Sequence, residues 1–140
     1  MGIERLTVAV GYVRVATVDE GRGGSQVQRH KDTVLNYCRH SSIKLSHMMI
    51  DVGGRQGRGR ALDLLVMERA AVLVVPSLSQ LTRNTGELAQ MLDHYFSRPS
   101  GVADLIAVAE GIDTRTQGGR IAIDVLRSVA RLESEAFFHA

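Results

Sequence analysis

The residues best suited to chemistry stand near the start of the chain, in Gly11-Tyr12-Val13-Arg14-Val15-Ala16-Thr17. In an extended segment alternate residues share a face, so Tyr12, Arg14 and Ala16 fall on one side and Val13, Val15 and Thr17 on the other. The valines suit a core, whereas an arginine and a tyrosine flanking a small residue suit a site. Three more arginines, Arg55, Arg58 and Arg60, crowd the segment 52–60, and Arg83 follows the apolar run 71–75. Guanidinium forks match phosphate oxygens in pairs. Arg14, Arg55, Arg58, Arg60 and Arg83 are therefore the candidate DNA- or phosphate-binding residues. Arginine makes up 15 of the 17 basic residues, an excess that genome composition produces as readily as selection for phosphate.

Elements that position these residues follow from the hydrophobic pattern. Leu6 to Val15 reads as a first strand, ended by a Gly/Ser-rich break at 21–25. A helix capped by Ser25 runs to about His40 on Val27, Val34, Leu35 and Cys38. Lys44 to Asp51 is a second strand. The next nine residues, 52–60, hold four glycines and three arginines, a composition that predicts a loop, neither helix nor strand, mobile unless a ligand holds it. Ala61 to Ala70 reads as a helix, Ala71 to Val75 as a strand covered on both faces, Gly86 to Phe96 as a helix and Val102 to Val108 as a strand. A polar turn spans Gly111 to Arg120, and a last helix runs from Ile121 to about Phe138. Alternating strands and helices predict an α/β fold with a mainly parallel sheet, in one domain over residues 1–140.

Composition excludes several classes of function. The 140 residues, 44% hydrophobic, bury a sizeable core, and no apolar run approaches the roughly 20 residues that span a bilayer. Charges in residues 1–5 stand where a signal peptide needs an apolar segment. The expected location is cytoplasmic, without membrane contact. Cys38 is the single cysteine, and the five histidines show no ligand spacing; no metal or other cofactor is expected. A net charge of +2 is not that of an obvious DNA binder.

Several segments, in order, resemble the serine recombinases of the resolvase/invertase family. The segment 12–17 is similar to that family's first strand, Tyr-x-Arg-Val-Ser, whose serine attacks a DNA phosphodiester. Gln28 fits a glutamine of its first helix, Ile50-Asp51 the acid closing its second strand, and Leu62-Asp63-Leu64-Leu65 the helix after its arginine-bearing loop. Residues 72–84 resemble its apolar strand followed by Leu-Asp-Arg-Leu-x-Arg, Gly111-Ile112-Asp113-Thr114 with Gly119-Arg120 its Ile-Asp-Thr turn, and Val129 to Glu133 the start of its dimer helix. The resemblance implies a three-layer α/β domain with four or five strands and helices on both faces, acting on DNA without a metal.

Departures from the pattern fall on the chemistry. Ala16 stands at the nucleophile position, Ser79 at the acid position and Gln80 at an arginine position, whereas Arg14 and Arg83 are retained. Counted back from Leu62-Asp63 without a gap, the loop arginine falls on Gly59; a one-residue deletion makes Arg58 or Arg60 the counterpart, and Arg58 is taken. Because a methyl group cannot attack phosphorus, the resemblance implies a recombinase domain inactive in strand cleavage. Among other hydroxyls, Thr17 faces away, Ser25 lies on the next helix, and Ser77 and Ser79 are expected on the wrong side of any phosphate held by Arg14. Bland readings stand beside these: Arg14 pairs with Asp51 or another strand-end acid, Arg83 is a solvated helix-start residue, and the 52–60 loop has no function. The last helix implies a homodimer, with DNA or an intact recombinase as the further partner. It ends in Ser134 to Ala140, acidic and aromatic, and no separate DNA-binding domain is expected within the chain.

Overall fold

A computed structural model describes residues 7–16, 25–96 and 102–139, the side chains of Ser25 and 134–139 excepted. The Gly/Ser break at 21–25, the Ser25 cap, the orientation of Thr17 and the contacts of Phe137 and Phe138 lie outside the described residues. Among the described residues five strands order as β2-β1-β3-β4-β5. β1 (Thr7–Val15) pairs in parallel with β2 (Ile43–Val52) and with β3 (Val72–Val75), and β3 pairs in parallel with β4 (Asp104–Ala107). β5 (Ile112–Asp113) runs antiparallel, against β4.

Period-two alternation along the central strands builds two cores. Val10 and Tyr12 of β1, Leu73 and Val75 of β3 and Leu105 of β4 face one side, where Leu65, Leu81, Leu92 and Ile123 join them. That face is covered by α2 (Gln56–Met67), α3 (Thr85–Tyr95) and α4 (Gln117–His139). Ala9, Val13, Val72, Val74 and Ile106 face the other side, against Val34 and Cys38 of α1 (Ser25–His40). The result is the mainly parallel α/β architecture that the alternation implies, in the three layers that the resemblance implies. Gly11 lets α1 approach β1 closely: a Cβ there would meet the Met48 sulfur at 3.0 Å and Val34 Cγ1 at 3.1 Å.

Two expected boundaries move. α2 begins at Gln56, inside the segment whose Gly/Arg composition predicts a loop. Its first turn is anchored from outside: the Asp51 carboxylate accepts the Gly57 N–H at 2.8 and 3.0 Å, placing a negative charge against the positive end of the helix. Here glycine is a steric requirement, because a Cβ at position 57 would lie 2.6 Å from Asp51 Oδ1. Tertiary anchoring thus overrides weak local propensity. The expected polar turn 111–120 likewise contains β5 and the first turn of α4, where Thr116 Oγ1 accepts the Gly119 N–H at 3.0 Å.

Candidate functional site at the carboxyl end of the sheet

After β1 the chain turns to β2 on one side, and after β2 it crosses back to β3 on the other. Strand order reverses between β1 and β3, and in open α/β sheets ligands bind outside the carboxyl ends of strands at such a point. A cleft of about 370 Å³ opens there, lined by Arg14 and Val15 of β1 and Ala16 just after it, Gln26 and His30 from α1, and Ser77, Ser79, Gln80 and Arg83 from the segment after β3. Positions 14, 16, 79, 80 and 83, singled out in the sequence, therefore meet in one place.

Each wall has a local cause. A single 3-10 turn (Leu78–Gln80) follows β3, and Glu110 braces it by accepting the Leu78 N–H at 3.2 and 3.3 Å. The Gln80 side chain reaches across to β1, where its Oε1 accepts the Arg14 N–H at 2.5 Å. A residue that replaces an arginine of the family pattern thus ties the two cleft walls together. Ser77 and Ser79 share a hydrogen bond between their hydroxyls at 2.8 Å. They line the same cleft as Arg14 and Ala16.

The arginines divide into two groups. Arg55 donates to the Leu81 carbonyl at 2.8 Å, to Ser79 O at 3.4 Å and to Gln80 O, and Arg58 donates to Leu81 O at 2.7 Å and pairs with Glu87. Both guanidinium groups clamp the turn and the start of α3. Arg60 is exposed on α2 and does not line the cleft. Arg14 turns its Nε to the Gly54 carbonyl at 3.2 Å, and Arg83, exposed, makes no hydrogen bond or ion pair with another described residue. Asp51 does not pair with Arg14. Its carboxylate is taken by the Gly57 N–H and by the Tyr12 hydroxyl at 2.5 Å. Tyr12, fully buried, belongs to the core beneath the site; burial first, then the hydrogen bond to and charge of Asp51, hold its phenol well above the ordinary value of 10.0.

Sequence reasoning missed Gln26 and His30. Gln28, matched there to a family glutamine, points outward and donates to Asp32 at 2.8 Å. Burial, with the neighbouring Arg29, lowers the His30 pKa from its ordinary 6.5. Among the described residues no cluster of potential ligands would hold a metal ion, and no helix is long and apolar enough to cross a membrane.

Acid should loosen the frame of the site. Burial opposes ionisation of Glu87, yet the hydrogen bond and charge of Arg58, with help from Thr82 and Arg55, bring its carboxyl below the ordinary 4.5. Asp113 is likewise held below 3.8 against burial by its bonds to Arg115. Carboxyls more acidic folded than unfolded contribute their stability fully above the unfolded pKa, and lose it as pH falls through the folded one. Thermal melts taken between about pH 5 and pH 3 should show a falling Tm, and Glu87→Gln should flatten part of that fall.

The fold and the reversed-order cleft define a mainly parallel α/β domain with a candidate site at the carboxyl end of its sheet, and comparison with known proteins gives the family. A model of the resolvase N-terminal domain matches residues 9–137, and the chain belongs to that family of serine recombinase domains. None of the curated proteins matches it. Among solved structures, the N-terminal catalytic domain of TP901-1 integrase superposes with a TM-score of 0.79 at 19% identity, over 92% of this chain and 98% of that one. A resolvase family site-specific recombinase from Streptococcus pneumoniae gives 0.77 at 22%, over 95% and 91%. The C-terminal catalytic domain of ISC1926 TnpA, an IS607-like serine recombinase, gives 0.53 at 14%, over 87% and 97%. At these identities the likeness is one of fold.

Proposed function

We propose that this chain is a recombinase domain without strand-cleavage chemistry, acting as a binding and assembly module. The observation that carries the reading is Ala16, at the end of β1 in the cleft with Arg14 and Arg83. Covalent attack on a phosphodiester needs an oxygen there, with arginines neutralising the charge that builds on phosphate. The methyl group supplies no such oxygen, and Arg55 and Arg58 are committed to protein acceptors. Supercoiled plasmid incubated with the protein should stay supercoiled; relaxed or linear product would overturn the reading.

Assembly rests on α4. Ile123 and Ala130 face inward, while Ile121, Val125, Val129 and Leu132, spaced by four, four and three residues, form a second apolar stripe that is 45–64% exposed. Such a stripe fits a copy of itself across a two-fold axis. Light scattering at micromolar concentration should give twice the chain mass, and Val125→Asp with Val129→Asp should halve it. A wild-type monomer at every concentration would sink the assembly part.

A further inference from the structure

We propose that the cleft at the β1–β3 switch point is a non-covalent site for a phosphate monoester, with Gln26 and His30 of α1 as ligands beside Arg14, Arg83 and the Ser77–Ser79 pair. This deepens the binding-module reading above and rests on it. Among the described residues, seven lining side chains offer hydrogen-bond donors, Gln80 through its amide nitrogen, and none of the lining residues is acidic. Arg14 lines the cleft, and its hydrogen bond to the Gly54 carbonyl uses only the Nε of its fork. Arg83, exposed, lines the same cleft. Two hydroxyls that bond each other use one of their two protons, so the Ser77–Ser79 pair keeps one to donate.

Counting acceptors selects the ligand. A backbone phosphodiester presents two non-bridging oxygens and one charge, fewer than these donors and two guanidinium groups call for. A monoester presents three strong acceptor oxygens and a charge of about −1.5 to −2 at neutral pH. The cleft therefore matches inorganic phosphate or the terminal phosphate of a nucleotide or nucleic-acid end. With a methyl group at position 16, the bound phosphate is held and not transferred.

Titration calorimetry with inorganic phosphate, at ionic strength held constant with chloride, tests the site. Fluorescence anisotropy with one single-stranded oligonucleotide, carrying either a 5′-phosphate or a 5′-hydroxyl, separates a nucleic-acid end from the free ion. The expected results are saturable phosphate binding and an affinity at least about tenfold higher for the 5′-phosphorylated strand. Arg83→Ala should weaken phosphate about tenfold and His30→Ala or Gln26→Ala several-fold. Arg39→Ala, at the far end of α1, should leave it unchanged. Gln26 and His30 sit half-exposed on one helix, so circular dichroism should confirm that their variants fold. A phosphate titration indistinguishable from chloride, or Arg39→Ala as damaging as Arg83→Ala, would overturn the site; equal binding of the two strands beside saturable phosphate binding would assign it to the free ion. Undiminished phosphate binding by both His30→Ala and Gln26→Ala would remove α1 from it. Uncut plasmid together with no phosphate binding would leave the inert-domain reading standing and defeat this one alone.

Discussion

Gly119→Ala should be the most damaging single-methyl change in the chain. Gly119 is buried in the first turn of α4, and a Cβ there would lie inside the van der Waals envelope of the Asp113 carbonyl carbon and oxygen. No rotamer relieves a clash between two backbones, so either β5 or the start of α4 must move. The same junction holds Thr114, whose buried hydroxyl accepts the Leu105 N–H at 2.8 Å and donates to Asp104 at 2.9 Å, and displacement breaks those bonds too. A cost of about 4 kcal/mol or more is expected, a large part of the ~5–15 kcal/mol that stabilises a typical domain. Gly118, one residue earlier, provides the control. A Cβ there meets nothing within 4 Å, so Gly118→Ala should be neutral or stabilise by up to ~1 kcal/mol through helix propensity. Urea denaturation of the two variants should give midpoints shifted far apart; equal midpoints would refute the packing of this junction.

Asp51→Ala should come next. One carboxylate serves the buried Tyr12 hydroxyl and the Gly57 N–H that starts α2. Its removal orphans a fully buried phenol, at about 1–3 kcal/mol, and uncaps a helix end, at about 1 kcal/mol more. The sum, about 2–4 kcal/mol, should appear in denaturation midpoints. Tyr12→Phe removes the hydroxyl and leaves Asp51 its bonds to Gly57, so it should cost only about 1 kcal/mol. If the two variants were equally destabilised, the cap on α2 would contribute nothing, and the register of the 55–60 arginines would need another explanation.

What the sequence makes legible depends on whether the cause is local. Val72 to Val75 is apolar without interruption because a central parallel strand is buried on both faces, and such a run reads directly. The start of α2 is unreadable because its anchor, Asp51, belongs to the preceding strand and acts through a side chain. Gln80 illustrates the same limit at the site. Its sequence position shows only that an arginine of the pattern is missing, whereas its amide holds the Arg14 N–H and with it the two cleft walls. Arg55 and Arg58 carry the chemistry expected of phosphate ligands, but acceptors on the 78–81 turn, more than 20 residues away in the chain, claim them. Gln26 and His30 had one available signal: in a sheet whose order reverses beside β1, the first turns of the following helix border the crevice. The reversal itself is visible only once the strands are paired.

The central claim is that this recombinase domain does not break DNA, and trapping of covalent protein–DNA adducts tests it most directly. Wild-type protein and Ala16→Ser are incubated with supercoiled DNA, quenched with denaturant and resolved by mass. No adduct is expected from either, because the restored hydroxyl would face a turn in which Ser79 and Gln80 stand at the acid and arginine positions and Gln80 is tied to the end of β1. A phosphoseryl adduct from Ala16→Ser would show that the missing oxygen alone silences the site, and one from the wild-type chain, mapped to Ser77 or Ser79, would contradict the account outright.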